Sequence, residues 1–466
     1  MKNYLVFSAI ALFFCSSCGS KQGKVADTFT GAEGEVKLIT LDPGHFHAAL
    51  VQKVSYPQVS KDVHVYAPEG FDVNEHLKRI EGFNSRVENP TQWNEIVYVG
   101  DDFLEKMLSE KKGNVMVQAG NNGKKTEYIK KTLEVGINVL SDKPMAINSQ
   151  NFQLLEECFE VAKRNNVMLY DIMTERNEIT TMLQRELSTI PVIYGEQLLG
   201  TPEEPAIVKE SVHHLLKFVD NKPLTRPVWY FDVTQQGEGI VDVTTHLVDL
   251  VQWEAFPEQI IDYKKDIELL DANRWTTSIS PAEFKQVTGM DTYPDFLKKD
   301  VENDTLKVYC NGDILYKLKG VTAKVSVIWN YTFPEGGGDT HFSVMRGSKA
   351  DLVIRQGKEQ NYRPELFVEA SINVDKASYE KDLNVAMEKV IAAYPGVTLK
   401  KIKEGIWLVD IPAEYRVGHE AHFGQVTEHF LKYLKDGKLP DWEVPNMLSK
   451  YYTTTAALDL AKSKTK

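Results

Sequence analysis

The chain is poor in cysteine: Cys15, Cys18, Cys158 and Cys310 are the four in 466 residues. No Cys/His spacing of a zinc site occurs in the body of the chain. Cys15 and Cys18 have the CxxC spacing but sit in the N-terminal segment, and a Cys158–Cys310 disulfide stays open at this level. Positive charge is also in deficit. Lys and Arg number 54 against 66 Asp and Glu, for a formal charge of −12, and no Lys/Arg-rich run offers a surface for phosphates. Nucleic acid is therefore not expected as a partner. After the first residues no apolar run is long enough to cross a bilayer. There is no repeat of solenoid period and no long low-complexity linker. A content of 42% hydrophobic and 26% charged residues is that of a folded protein, and the length calls for two or three domains.

The N-terminus reads as a targeting segment. Met1-Lys2-Asn3 gives a charged start, Tyr4 to Phe14 an apolar run, and Cys15-Ser16-Ser17-Cys18 small residues before a second cysteine. This pattern fits a lipoprotein signal peptide over 1–17, cleaved before Cys18, with lipid on that thiol. Residues 18–35 then form a tether. The expectation is a cell-envelope lipoprotein, periplasmic or associated with the outer membrane of a Gram-negative bacterium, held to the membrane by the Cys18 lipid alone.

From Val36 short apolar strands alternate with helices. Strands are expected at 36–41, 63–67, 95–99, 115–119, 137–140 and 167–170, with helices between them. That alternation predicts a doubly wound parallel sheet of Rossmann type over 36–172. Over 173–466 the strands lengthen and alternate, at 192–199, 307–317, 322–331, 340–346, 350–355, 365–374 and 407–411. They predict an α+β domain with a large, mostly antiparallel open sheet. Helices at 376–394, 422–435 and 446–464 complete it, the last two placed to pack back on the first domain.

Ligands of such parallel sheets bind beyond the carboxyl ends of the strands. Those ends carry Asp42-Pro43-Gly44-His45, Glu69, Gly120-Asn121-Asn122 and Ser141-Asp142-Lys143-Pro144, which together define a candidate cofactor cleft. The first turn, Asp42 to Ala48, keeps one glycine of the three in a GxGxxG fingerprint, so alone it is equally a plain turn. Glu69 stands where an acid holds the ribose hydroxyls of NAD and disfavours NADP. Lys143, at a strand end, is placed to protonate or hydrogen-bond a substrate oxygen, the more so with its pKa lowered by burial.

The stretch Gly237-Glu238-Gly239-Ile240-Val241-Asp242-Val243-Thr244-Thr245-His246-Leu247-Val248-Asp249 carries the strongest signal. Spacings of four and three put Asp242, His246 and Asp249 on one helical face in an apolar background. Histidine is a base near neutral pH for a hydroxyl proton. Asp242 is placed to orient it or bind the substrate hydroxyl, and Asp249 to act as a structural partner. A core polar network or metal ligation, with His213, His214 and His341 contributing, are the alternatives. No metal centre is assigned on this pattern.

Lys131 to Pro144, ending in Ser141-Asp142-Lys143-Pro144, resembles the EKP-containing segment of the Gfo/Idh/MocA oxidoreductases, with Asp142 where Glu is usual. Trp229, the Gly237-Glu238-Gly239 turn and Asp242 to Asp249 are similar to that family's later motif. The resemblance covers roughly 36–260, and the rest more loosely. It implies a dinucleotide-binding first domain and a second domain whose open sheet carries substrate and often the oligomer interface. It also implies Lys143, Asp242 and His246 as catalytic positions, NAD as cofactor ahead of NADP, and a sugar, glycoside or polyol substrate. Within the family the chain looks like an envelope lipoprotein branch typical of Bacteroidetes with an enlarged second domain. It departs in the eroded glycine turn and in Lys125, where the family often has histidine. Three expectations follow: an NAD(P)-dependent oxidoreductase acting on a carbohydrate hydroxyl, a redox-neutral glycoside-cleaving enzyme with tightly held NAD, or a carbohydrate-binding lipoprotein that has lost its cofactor.

Overall fold

The computed structural model describes residues 28–219 and 222–464; the signal peptide and Cys18 lie outside them. The first domain runs β1 (Leu38–Leu41), α1 (His47–Leu50), β2 (Asp62–Ala67), α2 (Phe71–Ser85), β3 (Asn94–Val99), α3 (Phe103–Glu110), β4 (Val115–Gln118), α4 (Asn122–Glu134), β5 (Asn138–Asp142), α5 (Ser149–Asn165) and β6 (Leu169–Ile172). Its strands pair in parallel in the order β3-β2-β1-β4-β5-β6. The order reverses between β1 and β4, so a cleft opens at their carboxyl ends. β1, β4, β5 and β6 are buried at every position, because helices cover both faces; hence their unbroken apolar runs.

The second domain contains α6 (Ile179–Ser188), β7 (Ile207–His214), β8 (Phe218–Val219), β9 (Lys222–Pro223), α7 (Thr244–Ala255), α8 (Tyr263–Asp266), β10 (Ile267–Ile279), α9 (Pro281–Thr288), β11 (Val301–Glu302), β12 (Thr305–Leu318), β13 (Val321–Asn330), β14 (Thr340–Arg346), β15 (Ala350–Gln356), β16 (Glu365–Ala370), α10 (Lys376–Ala393), β17 (Thr398–Lys403), β18 (Ile406–Asp410), α11 (His419–Asp436) and α12 (Glu443–Ser463). Ten strands form one sheet, ordered β10-β12-β13-β7-β14-β15-β16-β18-β17 with β11 on β12. All neighbours are antiparallel except β13 and β7.

Several expectations need correction. Residues 192–199 are not a strand: the amides of Ile193 and Tyr194 turn back to the Ile190 carbonyl, and Gly195 follows at φ +78°. Strands β7 and β10 went unforeseen. β10 is long, but most of its positions are half-buried or exposed, so its alternation is faint. Helix α1, which the sequence predicts over 45–54, spans only His47–Leu50, because the chain tightens into i→i+3 bonds at Gln52 and Lys53 before Pro57. The tether ends before Glu35: Phe29 is buried in the first domain's core, and the Glu35 carboxylate accepts from the Thr30 amide. Cys158 and Cys310 are both free thiols, one inside α5 of the first domain and the other on β12 of the second.

Helices α11 and α12 cross back over the first domain. Phe423, Phe430, Leu434, Met447 and Tyr451 belong to the same apolar cluster as β1, β4 and β5. An ionic network fastens this return. Arg176 grips Asp249 through two nitrogens at 2.6 Å each and reaches Glu443 at 2.9 Å. Lys450, wholly buried, pairs with Asp171 at 2.7 Å and Asp249 at 2.9 Å. Asp249 is therefore a structural anchor.

Candidate active site

The cleft between the domains is built where β1, β4 and β5 end and α7 begins. Gly237, at φ +93°, and Gly239 let the chain turn tightly there. A Cβ on Gly239 would stand 1.8 Å from the Cys310 carbonyl oxygen of β12, so only glycine allows this approach. Asn121 and Asn122 bind the same segment from the first domain: Asn121 donates to the Gln235 side chain at 2.7 Å and Asn122 to the Gln236 carbonyl at 2.8 Å. These two residues, expected at a cofactor, also join the domains.

Asp242 lies in the turn ahead of α7, and His246 in its first turn. The two line one cavity while Asp249 turns away to Arg176, so the three ionisable groups do not share a function. Lys143 Nζ donates to Asp242 Oδ1 at 2.7 Å, and Gln236 donates to Asp242 Oδ2 at 3.0 Å. Asp242 thus positions the lysine and not the imidazole. Burial alone would lower the Lys143 pKa, but Asp242 and Asp142 overcome it and raise it. The expected depression is reversed, and Lys143 is a fixed cation at neutral pH.

His246 is 9% exposed, and its Nδ1 has no hydrogen-bond partner among the described residues. Burial, then the Lys143 charge, hold its pKa well below the usual range. The imidazole is neutral with a lone pair to offer. The cavity it faces measures about 540 Å³ and includes Lys143, Glu175, Lys217, Arg226, Tyr230 and Trp329 in its wall. Glu175 is pushed up to about 7 by burial and Glu178, so a protonated carboxyl is available there. His213 Nδ1 and His214 Nδ1 lie 3.4 Å and 3.0 Å from the two oxygens of Asp339. Alternation would separate these neighbours, but Asp339 sits just before β14 at the strand end and spans both. Arg226, Trp329, Glu175 and Asp339 were not legible in the sequence, since they lie far apart along the chain and no spacing links them.

A second cavity, about 420 Å³, lies beyond β1 and β2 with Asp42, Glu69, Phe71, Arg226 and Trp229 in its wall. A pocket of about 50 Å³ lined by Gly44, His45, Asp72 and Arg226 lies between. Arg226 lines all three spaces. Of the remaining sequence candidates, Gly120 packs against the first turn, where a Cβ would meet the Asp42 carbonyl at 2.4 Å, and Asp142 and Pro144 are buried behind it.

The first turn is altered from a phosphate cradle. In register with GxGxxG, Asp42 and His47 replace the first and third glycines. The amides of Gly44 and His45 both donate to the Ala119 carbonyl at 3.1 Å, and Pro43 has none. Over Gly44, Trp229 Nε1 donates to Asp72 Oδ2 at 2.8 Å, and a Cβ on Gly44 would stand 3.0 Å from the Trp229 ring. Burial raises Asp72 to about 6. A dinucleotide thus has room at its two ends, with Glu69 at one and Lys143 and His246 at the other. The span between them is narrow, and Arg79 and Arg226 are the cations in its wall.

Residues 183–462 match the family model "Putative oxidoreductase C terminal domain". A crystal structure of an oxidoreductase from Parabacteroides merdae ATCC 43184 is 85% identical, covers 94% of this chain and 100% of its own, and superposes with a TM-score of 0.93. Levoglucosan dehydrogenase in complex with NADH and levoglucosan shares the fold at 12% identity, over 92% of this chain and 98% of its own, with a TM-score of 0.58. KijD10, a 3-ketoreductase from Actinomadura kijaniata in complex with NADP, does so at 11% identity, over 91% and 97%, with a TM-score of 0.55. No curated protein matches. A family match over more than half the chain, a relative 85% identical over its whole length and a Rossmann-type domain joined to an open-sheet domain agree: the chain belongs to the Gfo/Idh/MocA oxidoreductases.

Proposed function

We propose that the protein is a nicotinamide-dependent oxidoreductase that removes hydrogen from, or returns it to, a carbinol carbon of a sugar, glycoside or polyol. The observation that carries this reading is the unpartnered, neutral His246 beside the Lys143–Asp242 pair in one cavity at the sheet's switch point. His246 takes the hydroxyl proton. The Lys143 ammonium, fixed by Asp242, stabilises the oxyanion that this leaves. A bound nicotinamide supplies the hydride acceptor. The cavity suits a hydroxylated ring, since Trp329 and Tyr230 give flat apolar surface while Asp339, His213, His341 and Lys217 give polar contacts. Glu69, at the far cavity, favours NAD over NADP by charge. NADH bound by the levoglucosan dehydrogenase and NADP by the 3-ketoreductase support a nicotinamide.

The redox-neutral reading, with a retained cofactor, is favoured by the narrow span. A dinucleotide that bridges both cavities must part Trp229 from Asp72 to leave, so exchange is slow. We further place the protein in the cell envelope, anchored through Cys18, with self-association through the open sheet. Denaturing the purified protein and assaying the supernatant for NAD(H) tests the main reading. Dinucleotide released, or bound on addition, supports it; a protein that binds neither NAD nor NADP sinks it. Membrane partition unchanged in Cys18→Ala would remove the anchor.

A further inference from the structure

The replaced glycine and the replaced EKP glutamate, far apart in the chain, meet in space. His47 Nδ1 lies 2.9 Å from Asp142 Oδ2. His45 Nδ1 lies 3.8 Å from the same oxygen, and the His45 and His47 rings stand edge to face at 4.0 Å. One donor atom from each of the three residues falls within 4.8 Å of the others. Ligand atoms around a tetrahedral divalent ion, at about 2.0–2.1 Å from the metal, lie on the order of 3.3 Å apart. The cluster therefore needs only small side-chain adjustments to close on a cation.

Other observations bear on the same corner. His419 of α11 lies 5.2 Å from the His47 ring, within reach as a fourth donor. A plain glycine turn needs neither histidine. The amides that would hold a phosphate there are already bound to Ala119. Lys125 and Lys143 stand nearby and oppose a cation, while Asp142 and Asp242 carry compensating charge. Lys125 Nζ is tied to the Asp142 carbonyl and Lys143 Nζ to Asp242.

We infer that His45, His47 and Asp142 form a binding site for a divalent first-row transition metal at the edge of the substrate cavity. Two imidazoles and one carboxylate leave coordination positions open. Because His45 and His47 line the cavity that contains Lys143 and His246, those positions face the substrate. A cation there polarises a substrate oxygen as a Lewis acid. The assignment does not depend on the nicotinamide reading, since its test reads metal and not turnover.

Full-length protein stripped with a chelator is titrated with Co²⁺ and followed by its visible d–d absorption, with metal content measured by mass spectrometry. The expected result is one equivalent, displaced by Zn²⁺. Asp142→Asn and His45→Gln each weaken binding by more than about 100-fold, beyond what loss of a mere outer-shell partner costs, while melting as the wild type does. His45 sits on a partly exposed turn, so its variant keeps the test valid if Asp142→Asn fails to fold. His64→Gln, on β2, keeps full binding. Azide shifts the Co²⁺ band if a position is open. No stoichiometric binding, or binding unchanged in His45→Gln, overturns the site. A band indifferent to azide overturns its open face.

Discussion

Lys143 and Asp242, 99 residues apart, meet at 2.7 Å across the domain boundary. The contact joins the end of β5 to the turn ahead of α7. Both side chains are nearly buried, at 11% and 8% exposure, so each needs the other. Asp242→Asn takes from Lys143 its hydrogen-bonded counter-charge and leaves only the weaker one of Asp142. Burial then lowers the lysine pKa, and the ammonium is lost on the alkaline side. Turnover should fall, and the alkaline limb of its pH profile should move toward neutrality. An unmoved limb would separate Lys143 from the oxyanion.

His246→Ala should lower kcat by about 10²–10⁴-fold, the usual contribution of a positioned base, with circular dichroism and cofactor affinity nearly unchanged. The sign of the pH dependence follows from burial. A pKa held below the ordinary histidine range keeps the base unprotonated to lower pH. The acid limb should therefore lie below that range, with little change between about pH 8 and 7. Wild-type turnover in the Ala variant would remove His246 from the chemistry.

Asp249→Ala should act on stability. It strips Arg176 and Lys450 of a shared carboxylate, and breaking one member of a buried ionic set costs about 3–5 kcal/mol. Burial would raise the Asp249 pKa, but Arg176 and Lys450 hold it well below the carboxylate range. A depressed folded-state pKa contributes stability above the ordinary carboxylate value that is lost as pH falls through the folded one. Thermal melts should show wild type losing its margin over the variant only in strong acid.

Glu69→Ala should relax cofactor choice. Removing one carboxylate from the wall of the 420 Å³ cavity should narrow the preference for NAD over NADP by roughly fivefold or more, the scale of a 1 kcal/mol repulsion near water. Fluorescence titration with NADH and NADPH measures it. An unchanged ratio would move the ribose site elsewhere.

The parallel domain was legible because β1, β4, β5 and β6 are buried on both faces and spell it in uninterrupted apolar residues. The motif pair containing Lys143 and His246 was legible through spacing. Partners were less so. Asp242 sits one turn before His246 yet bonds a lysine from the other domain, and helical spacing cannot show that. The same limit hid the His47–Asp142 contact, whose members looked like two unrelated departures. Strand β10 was missed because its edge position leaves little alternation.

The late return of α11 and α12 couples the folding of the two domains. The first domain's core takes Phe423, Phe430, Met447 and Tyr451 from the chain's far end, and Lys450 reaches Asp171 from there. Until those segments dock, the first domain is missing a wall and its apolar floor stays open. The two domains therefore mature together, and a nascent or truncated chain presents that floor to chaperones and proteases.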